Sequence, residues 1–411
     1  MRRLTDTQAA AVDKLRRLKC GALFMEAGTG KTRVAVELIN PRAVDCVIWI
    51  APASLLRTEN YLNEIWRWHC KHPIFFFTIE GVSASDTKFL EMLKIAREKK
   101  AFCVVDESIT IKNTDAGRTR RLLAHYDAFA YRLILNGTPV TKGLIDIYSQ
   151  MQFLSPKILN MTEAQFANKF LTYRQDGSFK PWQRWSKPEN EAALVEIIRP
   201  YIFDCALDLP VSVSENDVDF YQTDAERASY ADFKRAYLQD KADLGFLEVA
   251  QKLQHFYTNS GQKDERLKQI VGGILDKGEK VIIYVKFLDE IERIRRFFDC
   301  VVFSGAEKGD LSRFEAHDGA GVLLCTYGVG SFGLNLQAAN NVVYYSQTFD
   351  YKEKEQSRHR VVRTGQTRAV SIFNFWLDTG LEKIIRKSLE KKRSTLANVK
   401  EFIEKNGIQE L

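Results

Sequence analysis

None of the seven cysteines lies in a Cys-x-x-Cys pair, and proline is scarce at nine residues in 411. The first absence removes the spacing that a zinc ribbon or a dithiol redox motif needs. Reduced thiols are expected. Cys20, Cys46, Cys103, Cys300 and Cys325 sit in or beside apolar strand-like runs, and Cys70 and Cys205 stand alone. Low proline, with no low-complexity tract and no repeat at solenoid spacing, argues against a disordered or array protein. No apolar run approaches the ~20 residues that cross a bilayer. The basic start MRRLTDTQAA lacks the apolar core of a signal peptide. The expectation is a cytoplasmic protein with no membrane partner. Charge of one sign is also not in great excess. A net +7, from 60 basic and 53 acidic side chains, suits a polyanionic partner without demanding one.

Short continuous apolar runs are abundant, each bounded by glycine, proline or charge: 22–25, 46–51, 74–79, 101–105 and 133–136. Amphipathic helix-length stretches separate them. Continuous apolar strands alternating with helices predict an α/β fold whose parallel sheet is covered on both faces. In such sheets ligands bind at the carboxyl ends of the strands. Residues 156–262 change texture to helical patterns with aromatic and basic clusters and no strong strand series. The alternation returns at 280–287, 300–305, 321–328, 341–347 and 370–376. After the first of these, Leu288, Ile291, Ile294 and Phe298 form one helical stripe. The division expected is a first lobe over 1–155, a helical protrusion and connector over 156–262, a second lobe over 263–380 and a C-terminal helix over 381–411.

MEAGTGKT (25–32) follows a strand and opens a helix. Gly28, Thr29 and Gly30 would let backbone N–H groups approach the phosphates of ATP, aided by the positive helix end. Lys31 would neutralise phosphate charge and the Thr32 hydroxyl would coordinate Mg²⁺. Met25 stands where the general pattern has its first glycine. VVDES (104–108) ends another strand: Asp106 suits the Mg²⁺ ion, and Glu107 suits polarisation of the attacking water as general base. An Asp-Glu pair alone is usually a solvated turn; beside a phosphate loop it completes a hydrolytic site. Gln8 lies about twenty residues upstream of the loop, where its amide would pair with the adenine edge or simply face solvent. LNGTP (135–139) is either a sensor of the nucleotide state or a plain turn.

EQSRHRVVRTGQ (355–366) spaces Gln356, Arg360 and Arg363 by four and three residues, one helical face. Cations aimed at a γ-phosphate stabilise its transition-state charge. Supplied by a different lobe, they would act on closure. By itself the stretch reads as a basic solvated helix. TYGVGSFGLNLQAAN (326–340), with Asn335 at a strand end, suits close approach to ribose or a phosphate backbone. YRQDGSFKPWQRWSKP (173–188) interleaves Tyr173, Trp182 and Trp185 with Arg174, Lys180, Arg184 and Lys187. It would stack on bases or wedge a junction, or pack as a helical protrusion. The run Arg386, Lys387, Lys391, Lys392 and Arg393 reads as a solvated helix face or as lining for nucleic acid.

In order and spacing these motifs resemble superfamily 2 helicase-like ATPases, and specifically the Swi/Snf-type branch, over residues 4 to about 395. APASLLRTENYLNEI (51–65), DESITIKN with Lys112 and Asn113, LNGTPVTKGLIDIYSQMQFLSP, the connector segments RPYIF, DLP (208–210) and DAERASYADF, and the closing segments FGLNLQAANNVVYYSQTFD, QSRHRVVRTGQ and TGLEKIIRKSLEKK carry the likeness. The Gly-Gln after Arg363 is a discriminating detail, unusual in DEAD-box RNA helicases. The resemblance implies two RecA-like lobes, DNA-stimulated ATP hydrolysis and translocation along duplex DNA. It also implies Arg360 and Arg363 as arginine fingers, with Asp106 and Glu107 as metal and base residues. By motif position Pro52, Ser54, Lys112 and Thr326 would grip the nucleic-acid backbone. Ser108 and Ile109 depart from the family's Gly/Ala-His, Phe203 and Asp204 from its Arg-Arg, and His359 from a common glycine. The size resembles a minimal stand-alone motor of phage or bacterial type.

The expected function is an ATP- and Mg²⁺-dependent duplex-DNA translocase acting as a monomer on duplex or branched DNA. It would serve replication, recombination or repair beside proteins of those processes, through fork remodelling or strand annealing. A strand-separating DNA or RNA helicase is the alternative, and a nucleotide-dependent clamp with little turnover is a third reading.

Overall fold

The computed structural model describes residues 3–57, 59–140, 143–174, 183–186, 188–207, 211–239, 246–258, 261–316, 319–328, 336–363 and 365–390. They divide into two compact units, 3–207 and 211–390.

The first unit is built on β1 (Cys20–Met25), β2 (Cys46–Ala51), β3 (Ile74–Thr78), β4 (Ala101–Asp106) and β5 (Tyr131–Leu135). All five grow from the apolar runs, and β2 and β4 are buried along their whole length. That burial on both faces is why the runs do not alternate with polar residues. The stretch 156–262, expected to be helical, supplies strands as well. β6 (Leu171–Arg174) and β7 (Gln183–Ser186) pair antiparallel, and β8 (Ile202–Cys205) runs parallel beside β1. The resulting sheet is entirely parallel in the order β3-β2-β4-β5-β1-β8. Its core gathers Leu23, Met25, Val47, Trp49, Val104 and Leu135, each buried completely. The helix Asp6–Leu15 opens with a capping box between Thr5 and Gln8.

The second unit begins with β9 (Val213–Phe220) and continues through β10 (Lys280–Val285), β11 (Cys300–Phe303), β12 (Gly321–Thr326), β13 (Asn341–Tyr344) and β14 (Val370–Leu377). This sheet is also wholly parallel, in the order β11-β12-β10-β13-β14-β9. The fold is therefore α/β with two RecA-like parallel-sheet lobes. Of the stripe expected after β10, Ile291 and Ile294 are buried, whereas Leu288 is 57% exposed. Leu288 is the first residue of its short helix, Leu288–Ile294, and Phe298 lies beyond the helix's end, half-buried. Among the described residues no helix is long and apolar enough to cross a membrane.

Candidate functional site

The phosphate loop connects β1 to the helix Lys31–Ile39. Gly28 and Gly30 both take φ of 89°, a left-handed conformation that glycine adopts without steric cost. A Cβ at Gly30 would also come 2.3 Å from Gln8 Nε2, so the amide that bonds Thr29 O would have to move aside. The Lys31 ammonium donates to the carbonyls of Met25 at 2.8 Å and Glu26 at 3.1 Å, so the loop folds back over its own cation. The Thr29 hydroxyl donates to Glu26 O at 2.7 Å. Thr32 lies on the first turn of the helix. Gln8 reaches the same loop: Nε2 donates to Thr29 O at 3.0 Å while Oε1 accepts from Thr5 N. Its amide thus braces the loop at Thr29.

Asp106 closes β4 and is 7% exposed. Its Oδ2 accepts the Tyr61 hydroxyl at 2.5 Å, and that hydroxyl accepts Trp49 Nε1 at 2.9 Å. Its Oδ1 accepts the backbone N–H of Glu107 at 2.8 Å. Burial and the neighbouring Glu107 carboxylate push the Asp106 carboxyl up to about 6, against the opposing pull of Tyr61 and Lys31. Burial lowers the pKa of Lys31, while Glu107 and Asp106 hold it up. The loop lysine and the acidic pair are therefore electrostatic neighbours at the carboxyl ends of β1 and β4. Glu107 itself is left-handed, with φ 53° and ψ 51°, a conformation that a non-glycine residue keeps only when its surroundings hold it. The turn after β5 completes this corner. A Cβ on Gly137 would lie 3.4 Å from Ala27 N and 3.7 Å from Lys31 Nζ, so the turn packs directly on the loop.

Pro52 and Ser54 follow β2 at the same sheet edge, where Ala53 N donates to Glu80 Oε2 at 2.9 Å. Lys112 ends the 3₁₀ turn that begins at Ser108, and its ammonium lies 3.8 Å from the buried Asp146 carboxylate. The connector strand β8 is stitched to the phosphate loop: Glu26 N donates to Cys205 O and Leu207 N to Glu26 Oε2, at 3.1 and 3.0 Å.

In the second unit Asp350 caps the helix Tyr351–Val361, accepting from Lys352 N at 2.8 Å. Gln356 and Arg360 lie on this helix, one turn apart. Arg363 does not share their helix, which ends at Val361; it stands on the following turn. What fixes that turn is Gln366, 3% exposed. Its Nε2 donates to Ala339 O at 2.9 Å, its Oε1 accepts from Thr367 N at 3.1 Å, and its own N–H donates to Arg363 O at 3.0 Å. Gly365 takes φ of +102°, and a Cβ there would meet the Gln337 side chain at 2.9 Å. The Gly-Gln pair is thus a clamp on the arginine-bearing turn. Thr326 ends β12 beside Val285 of β10. Arg386 pairs with Asp217 and Asp219 of β9. The side chains of 173–188, Asn335 and residues 391–393 lie outside the described residues.

The SNF2-related domain matches residues 74–255, and the helicase conserved C-terminal domain matches residues 262–365. The chain belongs to the Swi/Snf-type helicase-like ATPases. This Swi/Snf-type core is 24% identical over 443 residues to an uncharacterized ATP-dependent helicase of Mycoplasma genitalium, covering 95% of this chain and 40% of that protein. It is 24% identical over 324 residues to an uncharacterized ATP-dependent helicase of Mycoplasma pneumoniae, covering 74% of this chain and 30% of that protein. Against an ISWI chromatin-remodeling complex ATPase of Arabidopsis thaliana the identity is 23% over 473 residues, with coverage of 95% and 42%. The core thus spans less than half the length of these curated relatives. Among solved structures it is similar to the Sulfolobus solfataricus SWI2/SNF2 ATPase core in complex with dsDNA. That likeness has 22% identity and a TM-score of 0.42, and covers 97% of this chain and 93% of that one.

Three residues of this Swi/Snf-type core escaped the sequence reading. Tyr61 holds Asp106, Gln150 holds the residue after Glu107, and Cys205 brings β8 to the phosphate loop. None carries a local signal. Each acts through a partner distant in sequence.

Proposed function

We propose that this core hydrolyses ATP with Mg²⁺ and uses the energy to translocate along duplex DNA, remodelling DNA or protein–DNA structures in replication, recombination or repair. The observation that carries the reading is the convergence, at one edge of the first sheet, of Lys31, Asp106, Glu107 and Gly137 around a loop with two left-handed glycines. Such a loop fits a polyphosphate: its glycines clear the approach and its lysine is held close by weak carbonyl partners. In this reading Gly28, Thr29, Gly30 and Lys31 bind the phosphates, and Gln8, which braces the loop with one amide proton, offers the other to the adenine edge. Thr32 and Asp106 hold the metal, which supplies charge neutralisation on the phosphate oxygens. Glu107 takes the proton of the attacking water. Gln356, Arg360 and Arg363 are the second unit's contribution to hydrolysis. Pro52, Ser54, Lys112 and Thr326 contact the nucleic-acid backbone, and the core works as a monomer.

The family assignment and the net positive charge support duplex DNA as the track. The test is steady-state ATPase measured side by side with duplex, forked and single-stranded DNA and with RNA. Strongest stimulation by duplex or forked DNA is expected. Stronger stimulation by RNA or single strands would transfer the assignment to a strand-separating helicase. Lys31→Ala, Glu107→Gln and Arg360→Ala are each expected to abolish turnover with the fold retained. Near-normal hydrolysis in any of them would remove that residue from its role.

A further inference from the structure

Gln150 is completely buried, lies on the helix Ile145–Leu154 and touches three segments that the proposed function uses. Its Oε1 accepts the Ser108 hydroxyl at 2.6 Å; its Nε2 donates to Asp146 O at 2.7 Å and to Pro139 O at 2.9 Å. A buried amide costs free energy unless its polar atoms are used, and here both are. The residue it holds, Ser108, is fully buried, follows Glu107 directly, and is also within 3.4 Å of Asn136 Nδ2, which donates to it. The preceding residue of the same helix, Ser149, holds the far end of the 3₁₀ turn by donating to Ile111 O at 2.6 Å. One helix therefore grips both ends of the turn that carries Glu107 at its head and Lys112 at its tail. Asp146, whose carbonyl Gln150 holds, presents its buried carboxylate to Lys112.

We propose that Gln150 is a positioning residue that transmits nucleic-acid engagement at Lys112 to the hydrolytic Glu107; the inference rests on the function proposed above. When a backbone phosphate draws the Lys112 ammonium, the electrostatic balance at the buried Asp146 changes. The shift of residue 146 passes to Ser108 through one rigid amide. The turn at Pro139, which packs near Lys31 through Gly137, receives the same displacement.

The experiment compares basal and duplex-stimulated ATPase in the full chain for wild type, Gln150→Leu, Ser108→Ala and the double variant, with the KM for ATP and the melting temperature followed in parallel. Gln150→Leu is expected to keep basal rate and KM within about twofold and to lose about five- to tenfold of the stimulation. Ser108→Ala, the milder change, should lose part of it, and the double variant should be no worse than Gln150→Leu alone, because both act on one link. Unchanged stimulation in both single variants, or equal loss of basal and stimulated rates, overturns the proposal. A purely structural role would lower the melting temperature and leave the stimulation ratio intact. If no nucleic acid raises the wild-type rate, the functional reading falls and this inference with it. A stimulated wild type with equally stimulated variants refutes this inference alone.

Discussion

Replacing Tyr61 by phenylalanine deletes one oxygen and leaves two inward-facing groups short of a partner. The hydroxyl donates to Asp106 Oδ2 and accepts from Trp49 Nε1, and both of those residues are buried. A hydrogen bond to a carboxylate contributes about 1.5–3 kcal/mol, and one between neutral groups about 1 kcal/mol. The phenyl ring fills the same volume, so no cavity term is added. The loss expected for the first unit is about 3 kcal/mol. For a unit of this size each kcal/mol lowers the melting temperature by about 2–4 °C, giving a fall of about 6–12 °C. Scanning calorimetry of the full chain at pH 8, where Asp106 is ionised, measures it. A shift below about 1 °C in a folded variant would mean that the Trp49–Tyr61–Asp106 chain does not form in solution.

Gly30→Ala places a methyl against Gln8 Nε2 in a left-handed backbone. Conformational strain of about 1–2 kcal/mol should weaken binding of a fluorescent ATP analogue about tenfold or more; unchanged affinity would contradict the loop geometry. Gln366→Ala orphans the carbonyl of Ala339 and frees the Arg363 turn. A second-unit destabilisation of about 2 kcal/mol is expected, and a calorimetric transition identical to wild type would refute the clamp. Lys354 donates to Gln347 Oε1 and Asn374 Oδ1, and burial, opposed by nearby carboxylates of which Glu215 is the largest influence, lowers its pKa to about 7. In the unfolded chain this lysine stays protonated to about pH 10. Unfolding therefore takes up a proton between these values, and second-unit stability rises with pH from about 7 towards 10, by at most about 1.4 kcal/mol per pH unit. Urea midpoints at pH 7 and 9 should diverge in wild type and converge in Lys354→Met. Parallel slopes would show that the lysine is not buried neutral.

The interior strands were legible because a parallel strand covered on both faces has to be apolar through its length between the ends, and β1, β2, β4, β10, β12 and β13 are, with Asp106, Lys280, Thr326 and Asn341 confined to strand ends. The sheet-edge strands β8 and β9 were not. An edge strand needs little apolar surface, and β9, with Glu215, Asp217 and Asp219, is mostly exposed. The loop around Lys31 and the pair Asp106–Glu107 could be read from sequence, because chemistry at a phosphate imposes residue types at short spacing. Tyr61, Gln150 and Gln366 bind partners 45, 42 and 27 residues away. Nothing in the neighbourhoods of Tyr61 and Gln150 marks them, and the Gly-Gln after Arg363, though a discriminating detail of the sequence, did not say what the Gln366 amide holds. The four-and-three spacing of Gln356, Arg360 and Arg363 misled for a related reason: periodicity does not say where a helix stops.

The pairing of β9 with β14 has a consequence for biosynthesis. Val213 must wait for Val370, and Asp217 for its hydrogen-bonded partner Asn374, 157 residues later. At about 5–20 residues per second, the ribosome takes roughly 8–30 s to close that gap. The first sheet needs nothing beyond Cys205 and can close early. During the interval β9 is an unpaired strand, and its row of carboxylates is the kind of charge that keeps a waiting edge from pairing with the wrong chain.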